Sequence, residues 1–486
     1  MKSLSSICFL LIIGCASKQS SVKNDDASTI SRPAFHFTPE KNWTNDPNGL
    51  VYFDGEYHLF YQYNPYGKKW GHMSWGHAVS SDLVTWKHLP VALGEYTDPS
   101  SGDSTMIFSG TAVVDRKNTA GFGKDAMVAI YTSHVHKGGN AIVQHQSLAY
   151  SLDRGRSWKR YDKNPVLTIG RKDFRDPKVF WYEPEQKWVM AVVVPDQFTI
   201  QFYESRDLKQ WAKTGEFGHA GDTLRIWECP DLFQLPVEGD GGNSKWVLSL
   251  SGSHPQGPKF VGMQYFVGEF DGKKFTVDNP EQAPRYVNYG KDFYAGIVFN
   301  QLPSSQKRTV MIGWVNNWTY ANDIPANSWR GAMSIPRALS LKKFANGYRL
   351  IQGPVKEMAV RASEVKQRDI DSNSALMIEL ELSGSGASGI SIGNDSCLVR
   401  VGCDFSKQQI FLDRSLSKKF HPDFPSVETA PAESGDSIGL IIYIDQYITE
   451  VFSVDGRVNM TDLTFFPKKI HIETFGNAKL KTWKLN

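Results

Sequence analysis

Three acidic side chains stand in constrained stretches of this sequence and could serve one catalytic site. Asp46 and Asp176 each precede a proline, and Glu228 lies between Trp227 and Cys229. A residue before proline is pushed toward extended backbone, so the geometry of both aspartates is restricted. A glutamate among apolar neighbours is partly desolvated, which raises its pKa and suits it to donate a proton near neutral pH.

Hydrolysis of a glycosidic bond can use such a set. A retaining glycosidase needs one ionised carboxylate as nucleophile and a second carboxyl group that first donates and later accepts a proton. Asp46 suits the first role and Glu228 the second. Arg175 beside Asp176 should keep that third carboxylate ionised.

A simpler explanation exists for each acid taken alone. Residues 43 to 49, with the sequence WTNDPNG, favour a sharp turn between two aromatic runs, because Pro presets φ and Asn and Gly accept positive φ. Asp176 could be a turn residue paired with Arg175. Glu228 could be an edge-strand residue that faces water.

The elements that position these acids are predicted to be β-strands. The chain is 13% aromatic, has 41 Gly and 24 Pro, and shows short alternating runs separated by turn signals. Before residue 350 no stretch sustains a period of 3.6 residues, so helices should be minor.

A weak repeat indicates a β-propeller. Similar turns contain Asp82, Asp153, Asp207 and Asp271, which are 71, 54 and 64 residues apart. Such intervals fit a four-stranded blade with its loops, although any all-β protein reuses turns of this kind. From about residue 352 onward the alternation is cleaner, which favours a β-sandwich.

The N-terminus predicts export. Met1-Lys2 is followed by an apolar run at residues 8 to 13, too short to span a bilayer, and then by Gly14-Cys15. The segment at residues 12 to 15 resembles a bacterial lipobox, so Cys15 is expected to carry lipid and to anchor an envelope protein; a plain secretory signal with an incidental Cys is the alternative. The predicted organisation is signal peptide 1–14, tether 15–32, propeller 33–348 and sandwich 355–486.

Composition excludes other classes. The formal net charge is +3, from 54 basic and 51 acidic residues without a long basic block, so nucleic acid is not an expected partner. His, Cys and carboxylates show no metal-site spacing, and no metal or cofactor is expected. Cys229, Cys397 and Cys403 are predicted to be free thiols. Membrane contact is expected only through the lipid anchor.

Nine ordered motifs resemble those of glycoside hydrolase family 32, the invertase, inulinase and levanase group. They span nearly all of residues 34 to 486 and are residues 43–49, residues 60–65, Trp70-Gly71 with residues 75–78, Phe108-Ser109-Gly110, residues 174–177, residues 227–231, residues 292–295, Gly313-Trp314, and residues 329–331 before Pro336-Arg337.

The resemblance implies an all-β fold with a five-bladed propeller followed by a β-sandwich, and a retaining mechanism on β-fructofuranosides. By position, Asp46 resembles the nucleophile, Glu228 the acid/base, and Asp176 the carboxylate that holds ring hydroxyls. The substrate-binding positions it implies are Asn45, Gln62, Trp70, Phe108, Ser109, Arg175 and Trp314. Thr44 departs from the Met of many relatives and could alter the pocket floor.

Several properties stay open at this level. A fructosyltransferase, a sucrose-hydrolysing invertase or a non-catalytic carbohydrate-binding lipoprotein could share the scaffold, although the presence of Glu228 argues against the last. The expected partner is a fructan or fructo-oligosaccharide, but levan, inulin and sucrose are not distinguished. Exo and endo cleavage, the part played by residues 318–320 at the rim, and the oligomeric state are also left open.

Overall fold

The computed structural model describes residues 30–253, 262–280, 283–365, 369–417, 420–433 and 435–485. The predicted signal peptide, Cys15 and residues 15–29 of the tether lie outside these residues. As predicted, helices are minor: the described helical segments are the 3₁₀ turns Glu183–Glu185, Pro195–Gln197, Ser304–Gln306 and Lys356–Arg361. In the same part of the chain, no helix has the length and apolar character needed to cross a membrane.

Five antiparallel sheets surround an axis and form the predicted five-bladed propeller. The first blade contains Asn42–Phe53, Glu56–Asn64, Ser74–Ser80 and Lys87–Leu93, and Trp329–Arg330 joins its inner strand in parallel. The second contains Tyr96–Thr97, Ser104–Asp115, Ala126–Lys137, Asn140–Ser151 and Lys159–Arg160. The third contains Arg175–Tyr182, Lys187–Val194, Thr199–Ser205 and Ala212–Gly218. The fourth contains Ile226–Pro236, Ser244–Ser253, Gly262–Phe270, Phe275–Val277 and Arg285–Tyr286, and the fifth Tyr294–Val298, Thr309–Trp314, Arg337–Phe344 and Gly347–Pro354.

The last of these strands, Gly347–Pro354, pairs with Arg337–Phe344 along its length, so the fifth blade continues past residue 348.

A β-sandwich of two six-stranded sheets follows the propeller. One sheet contains, in spatial order, Ala362–Val365, Asn477–Leu485, Ala375–Ser383, Ser437–Asp445, Ile448–Ser453 and Asn459–Leu463. The other contains Asp369–Asp371, Lys469–Phe475, Ala387–Asn394, Cys397–Asp404, Gln409–Leu416 and Val427–Pro431.

The sandwich core follows the strand period of two. In Ala375–Ser383, the side chains of Ile378 and Leu380 are buried between the sheets, whereas Glu379 and Glu381 alternate with them and are exposed. Burying each such aliphatic side chain stabilises the fold by about 1.5–3 kcal/mol, so a one-residue slip of register would be strongly disfavoured.

The aspartate turns mark the blades, as the repeat predicted. Asp82, Asp153, Asp207 and Asp271 each follow the third long strand of one of the first four blades and accept backbone N–H groups of the turn that leads outward. A carboxylate that closes such a turn explains why the repeat is visible in the sequence.

Polar contacts join inner strands at the propeller axis. Lys178 Nζ lies 2.8 Å from Asp231 Oδ1, and the two side chains are buried. Asn300 Nδ2 donates to the carbonyls of Ala112 and Val179 at 3.0 and 3.1 Å. These contacts link the second and third blades to Asn300, which follows the inner strand of the fifth blade, and the third blade to the fourth.

His36 ties the N-terminal segment to the sandwich. Its Nδ1 lies 2.9 Å from Asp445 Oδ2 and its Nε2 lies 3.1 Å from Glu450 Oε1, and all three side chains are fully buried. Burial disfavours the imidazolium, but the bonds to the two carboxylates outweigh it and raise the pKa of His36 to about 9. Arg337 Nη2 binds the other oxygen of Glu450 at 2.6 Å.

This imidazolium should make stability fall above neutral pH. The pKa of His36 is about 9 when folded and 6.5 ordinarily, so its contribution is complete below pH 6.5 and is lost as the pH rises to about 9. The loss corresponds to about 3 kcal/mol of unfolding free energy. We expect the Tm of the wild type to approach that of His36→Gln across this range, as measured by differential scanning fluorimetry. A constant Tm difference between the two proteins would contradict this assignment.

Candidate active site

The stretch that contains Asp46 is a bulged strand and not a turn. Residues 43 to 49 lie within the inner strand Asn42–Phe53, whose pairing is interrupted after Thr44 and again after Asn48. Gly49 adopts φ +53° there. The prediction of a turn at residues 43 to 49 was therefore wrong, although the backbone of this segment is irregular, as its Pro, Asn and Gly residues indicated.

All five inner strands carry a β-bulge near the same end of the axis. The shifts in pairing lie between Thr44 and Pro47, Ile107 and Gly110, Arg175 and Lys178, Glu228 and Asp231, and Tyr294 and Ile297. A bulge re-aims the side chains beside it and tolerates proline, which has no N–H for the ladder. Asp176, Cys229 and Ala295 have positive φ at these bulges. The bulges of the first four blades thus turn side chains toward one space.

That space is a cavity of about 450 Å³. It is lined by Asn45, Asp46, Gln62, Trp70, Phe108, Ser109, His134, Gln144, Asp173, Arg175, Asp176, Glu228, Trp318 and Asn322. Every residue predicted for catalysis or substrate binding is present except Trp314.

Asp46 is buried and held by three donors. Ser109 Oγ donates to Oδ2 at 2.6 Å, Asn45 Nδ2 donates to Oδ1 at 3.0 Å, and Cys229 Sγ lies 3.5 Å from Oδ2. Burial raises the pKa of Asp46 and the charge of Glu228 raises it further, whereas the three donors lower it. The donors therefore both orient the carboxylate and favour its ionised form.

Asp176 is also buried, and its Oδ2 accepts the backbone N–H of Cys229 at 2.9 Å. Burial raises the pKa of Asp176 to about 7, and the charges of Glu228 and Asp46 act in the same direction against the opposing effect of Arg175. The nearest guanidinium nitrogen lies 3.9 Å away. Arg175 thus fails to keep Asp176 fully ionised, contrary to the prediction.

Arg175 pairs instead with Glu228. Its Nη2 donates to Glu228 Oε1 at 2.9 Å, and its Nη1 donates to Asp173 Oδ1 at 2.7 Å. Tyr294, from the fifth blade, donates its hydroxyl to Glu228 Oε2 at 2.5 Å. Both oxygens of Glu228 are therefore engaged by neighbouring blades, and its side chain is 18% exposed toward the cavity.

Cys229 lies between the two aspartates, with Sγ 3.5 Å from Asp46 and 3.7 Å from Asp176. Burial and the adjacent carboxylates raise the pKa of this thiol well above its usual range, so it stays protonated and can donate. Cys229, Cys397 and Cys403 are all free, as predicted.

Trp314 supports the wall of the cavity from behind. It is fully buried, and its ring centroid lies 4.9 Å from that of Trp318, which does line the cavity. Trp43 packs against Trp314 at 5.9 Å and donates Nε1–H to Asn45 Oδ1 at 2.8 Å. The prediction that Trp314 lines the pocket was wrong; Trp318, four residues later, takes that place. Thr44 is fully buried and does not line the cavity.

The remaining predicted pocket residues occupy the first two blades. Gln62 is buried and its amide nitrogen donates to the carbonyl of Ile107 at 3.1 Å. Phe108 stacks on His134 with centroids 4.3 Å apart. Trp70 is 41% exposed at the rim.

Four lining residues were not predicted, namely His134, Gln144, Asp173 and Asn322, and Trp318 belongs to the segment 318–320 whose role the sequence left open. Gln144 Oε1 accepts the backbone N–H of Phe174, and burial, with the nearby Arg175 guanidinium acting in the same direction, lowers the pKa of His134 to about 4. His134 and Gln144 lie on paired strands with no motif. Asp173 directly precedes the motif at residues 174–177, and that nearness was an available signal.

Comparison with known proteins matches this chain to two family models. The model "Glycosyl hydrolases family 32 N-terminal domain" matches residues 36–354, and "Glycosyl hydrolases family 32 C terminal" matches residues 349–484.

Individual relatives agree with those models. A levanase of Bacillus subtilis is 44% identical over 484 residues, covering 94% of this chain and 70% of that protein. An extracellular exo-inulinase of Aspergillus niger is 40% identical over 487 residues, covering 89% of each. The crystal structure of exo-inulinase from Aspergillus awamori superposes with a TM-score of 0.86 at 36% identity, covering 95% of this chain and 99% of that one.

Proposed function

This chain belongs to glycoside hydrolase family 32 and is a glycoside hydrolase of the β-fructofuranosidase type, and we propose that it hydrolyses fructans by double displacement. One observation supports this mechanism above others. Asp46, Asp176 and Glu228, from the inner strands of the first, third and fourth blades, converge in one cavity with different hydrogen-bond partners. Different environments give carboxylates different roles.

In the first proposed step, Asp46 attacks the anomeric carbon of a bound fructosyl unit. The carboxylate forms an ester with the sugar while the bond to the leaving oxygen breaks, and Glu228 gives its proton to that oxygen. The donors on both oxygens of Asp46 hold it in one orientation, which lowers the entropic cost of attack.

In the second step, water attacks the same carbon and gives its proton to Glu228. The ester to Asp46 breaks, fructose leaves, and both carboxyl groups return to their starting state. Arg175, 2.9 Å from Glu228, favours the carboxylate that exists between the two steps.

Asp176 is proposed to hold ring hydroxyls. Its pKa of about 7 leaves it partly protonated in the free site, and hydroxyl groups that donate to it would favour the ionised form. Those bonds strengthen as positive charge develops on the ring, so Asp176 would stabilise the transition state more than bound substrate.

Polar contacts between inner strands at the axis support removal of terminal fructose. Lys178, Asp231 and Asn300 join inner strands at the axis and do not line the cavity, so we take a fructosyl unit bound at Asp46 to have the rest of its chain toward the rim. The substrates we propose are levan or inulin, because the relatives compared above include a levanase and an exo-inulinase.

We expect fructose to be the only early product from levan and from inulin, as measured by chromatography at low conversion. A ladder of oligosaccharides would contradict exo-action. New, longer saccharides in dilute solution would instead indicate fructosyl transfer. The relative rates of hydrolysis of levan and inulin show which fructan linkage the enzyme prefers. The Asp46→Asn protein, prepared in the same way, controls for contaminating enzymes.

Export with a lipid anchor at Cys15 is the location we propose, because polymeric fructan is available outside the cell. Its support is the apolar run and Gly14-Cys15 of the sequence. Labelling of growing cells with an alkyne fatty acid should tag the wild type but not Cys15→Ser. Equal tagging of both would contradict the assignment.

A further inference from the structure

A buried arginine of the sandwich contacts the propeller behind the cavity wall. Arg414 is fully buried, and its Nη1 donates to Asp292 Oδ2 at 2.6 Å and to the carbonyl of Leu463 at 2.8 Å. Its Nη2 donates to the hydroxyl of Tyr320 at 2.7 Å, and that hydroxyl donates to Asp292 Oδ1 at 2.5 Å. Arg414, Asp292 and Tyr320 thus form a closed set, called here the Arg414 triad.

One arm of the triad reaches the aromatic wall. Tyr320 lies two residues after Trp318 and two before Asn322, and both of these line the cavity while Tyr320 does not. The Tyr320 ring is 1% exposed and packs 5.6 Å from that of Phe424 in the sandwich. The loop is therefore anchored to the sandwich through Tyr320, and its flanking side chains face the substrate space.

The other arm reaches the proposed acid/base. Asp292 lies two residues before Tyr294, whose hydroxyl donates to Glu228 Oε2. Besides Arg414, Asp292 Oδ2 also accepts the backbone N–H of Leu463 at 2.8 Å. The start of this inner strand is thereby held at a fixed distance from the sandwich.

We propose that Arg414 is a positioning residue for the fructosyl pocket, acting through Tyr320 on Trp318 and Asn322, and through Asp292 on Tyr294. The inference rests on the proposed function, because it takes this cavity as the fructosyl pocket. A guanidinium suits the role, since its rigid fork binds the carboxylate and the hydroxyl at once. A compact ammonium could not reach both groups with the same geometry.

Two substitutions test the triad. Arg414→Met removes the cation with little change of volume, and Tyr320→Phe removes only the shared hydroxyl. We expect KM for fructan to rise about tenfold in each, with kcat reduced less, because misplaced wall residues weaken sugar binding. Arg414→Lys should recover part of the loss.

His36→Gln is the matched control, since it removes another buried contact with the sandwich that does not touch the cavity. The Tm of this variant should fall, while its KM and kcat should equal those of the wild type.

A double-mutant cycle distinguishes positioning from general destabilisation. If Tyr320 acts through Trp318, Tyr320→Phe should change KM much less in a Trp318→Ala background than in the wild type. The proposal would be overturned if Tyr320→Phe had the KM and kcat of the wild type and only a lower Tm. Tyr320→Phe tests the proposal even if Arg414→Met does not fold. Asp46→Asn tests the proposed function separately: activity retained there would defeat the mechanism without changing the KM comparison.

Discussion

Replacement of Asp46 by Asn should lower kcat on fructans about 10⁴-fold or more, as expected when a covalent nucleophile is removed. The side chain keeps its size, and Ser109 can still donate to its amide oxygen. An amide, however, cannot form the ester that water later hydrolyses. Fructose release measures kcat, and Tm with competitive binding of fructose shows that the fold and pocket persist. Hydrolysis near the wild-type rate would exclude double displacement through Asp46.

Ser109→Ala is the matched variant, because it removes only the donor 2.6 Å from Asp46 Oδ2. Ser109 lowers the pKa of Asp46, so its loss should raise that pKa and move the acidic limb of kcat/KM to higher pH. At the optimum, activity should fall only about tenfold, the cost of one hydrogen bond to a charged group. An unmoved acidic limb would mean that Asp46 is not the group that titrates there.

The blades could be predicted because local chemistry marks them. In the first four blades a turn aspartate bonds to backbone N–H groups next to it, and such contacts depend only on neighbouring residues. The fifth blade uses Ala345-Asn346 in a tight hairpin instead, and its repeat was not detected. The number of blades therefore came from the family resemblance and not from spacing.

The bulges could not be predicted because turns and bulges use the same residue types. Pro, Asn and Gly near Asp46 accept the backbone angles of either structure. The choice between a turn and a bulge depends on pairing with the strand Glu56–Asn64 on both sides of the irregularity. Residues 43 to 49 alone do not specify that pairing. The sequence therefore predicted that the backbone at Asp46 is restricted, but it did not predict that Asp46 lies inside a strand.

Predictions of side-chain contacts within the site were wrong where residues adjacent in sequence were assumed to be adjacent in space. Arg175 is the sequence neighbour of Asp176. Its long side chain nevertheless extends to the next blade and binds Glu228. Trp314 and Trp318 are four residues apart, and only the course of the loop held by Tyr320 decides which ring faces the cavity. Side-chain reach and loop anchoring are properties of the packed fold.

Substitution of Glu228 by Gln should lower kcat on fructans by about 10²- to 10⁴-fold, the usual worth of general acid–base catalysis. Glutamine keeps the shape, and Tyr294 can still donate to its amide oxygen, but the amide cannot protonate the leaving oxygen. The loss should be small in the first step for a fructoside of an acidic phenol, because that leaving group departs without a proton. Such a substrate would then stop at the fructosyl ester of Asp46, since water lacks its base.

Azide should rescue that stalled ester, because an anion needs no base to attack. In Glu228→Gln it would displace Asp46 from the face that water uses, so the fructosyl azide should keep the β configuration of the substrate. In Asp46→Gly azide would instead take the place of the nucleophile, and the product should be inverted. Determination of the product anomer by NMR therefore separates the two carboxyl groups by role. An inverted azide from Glu228→Gln would exchange the assignments of Asp46 and Glu228.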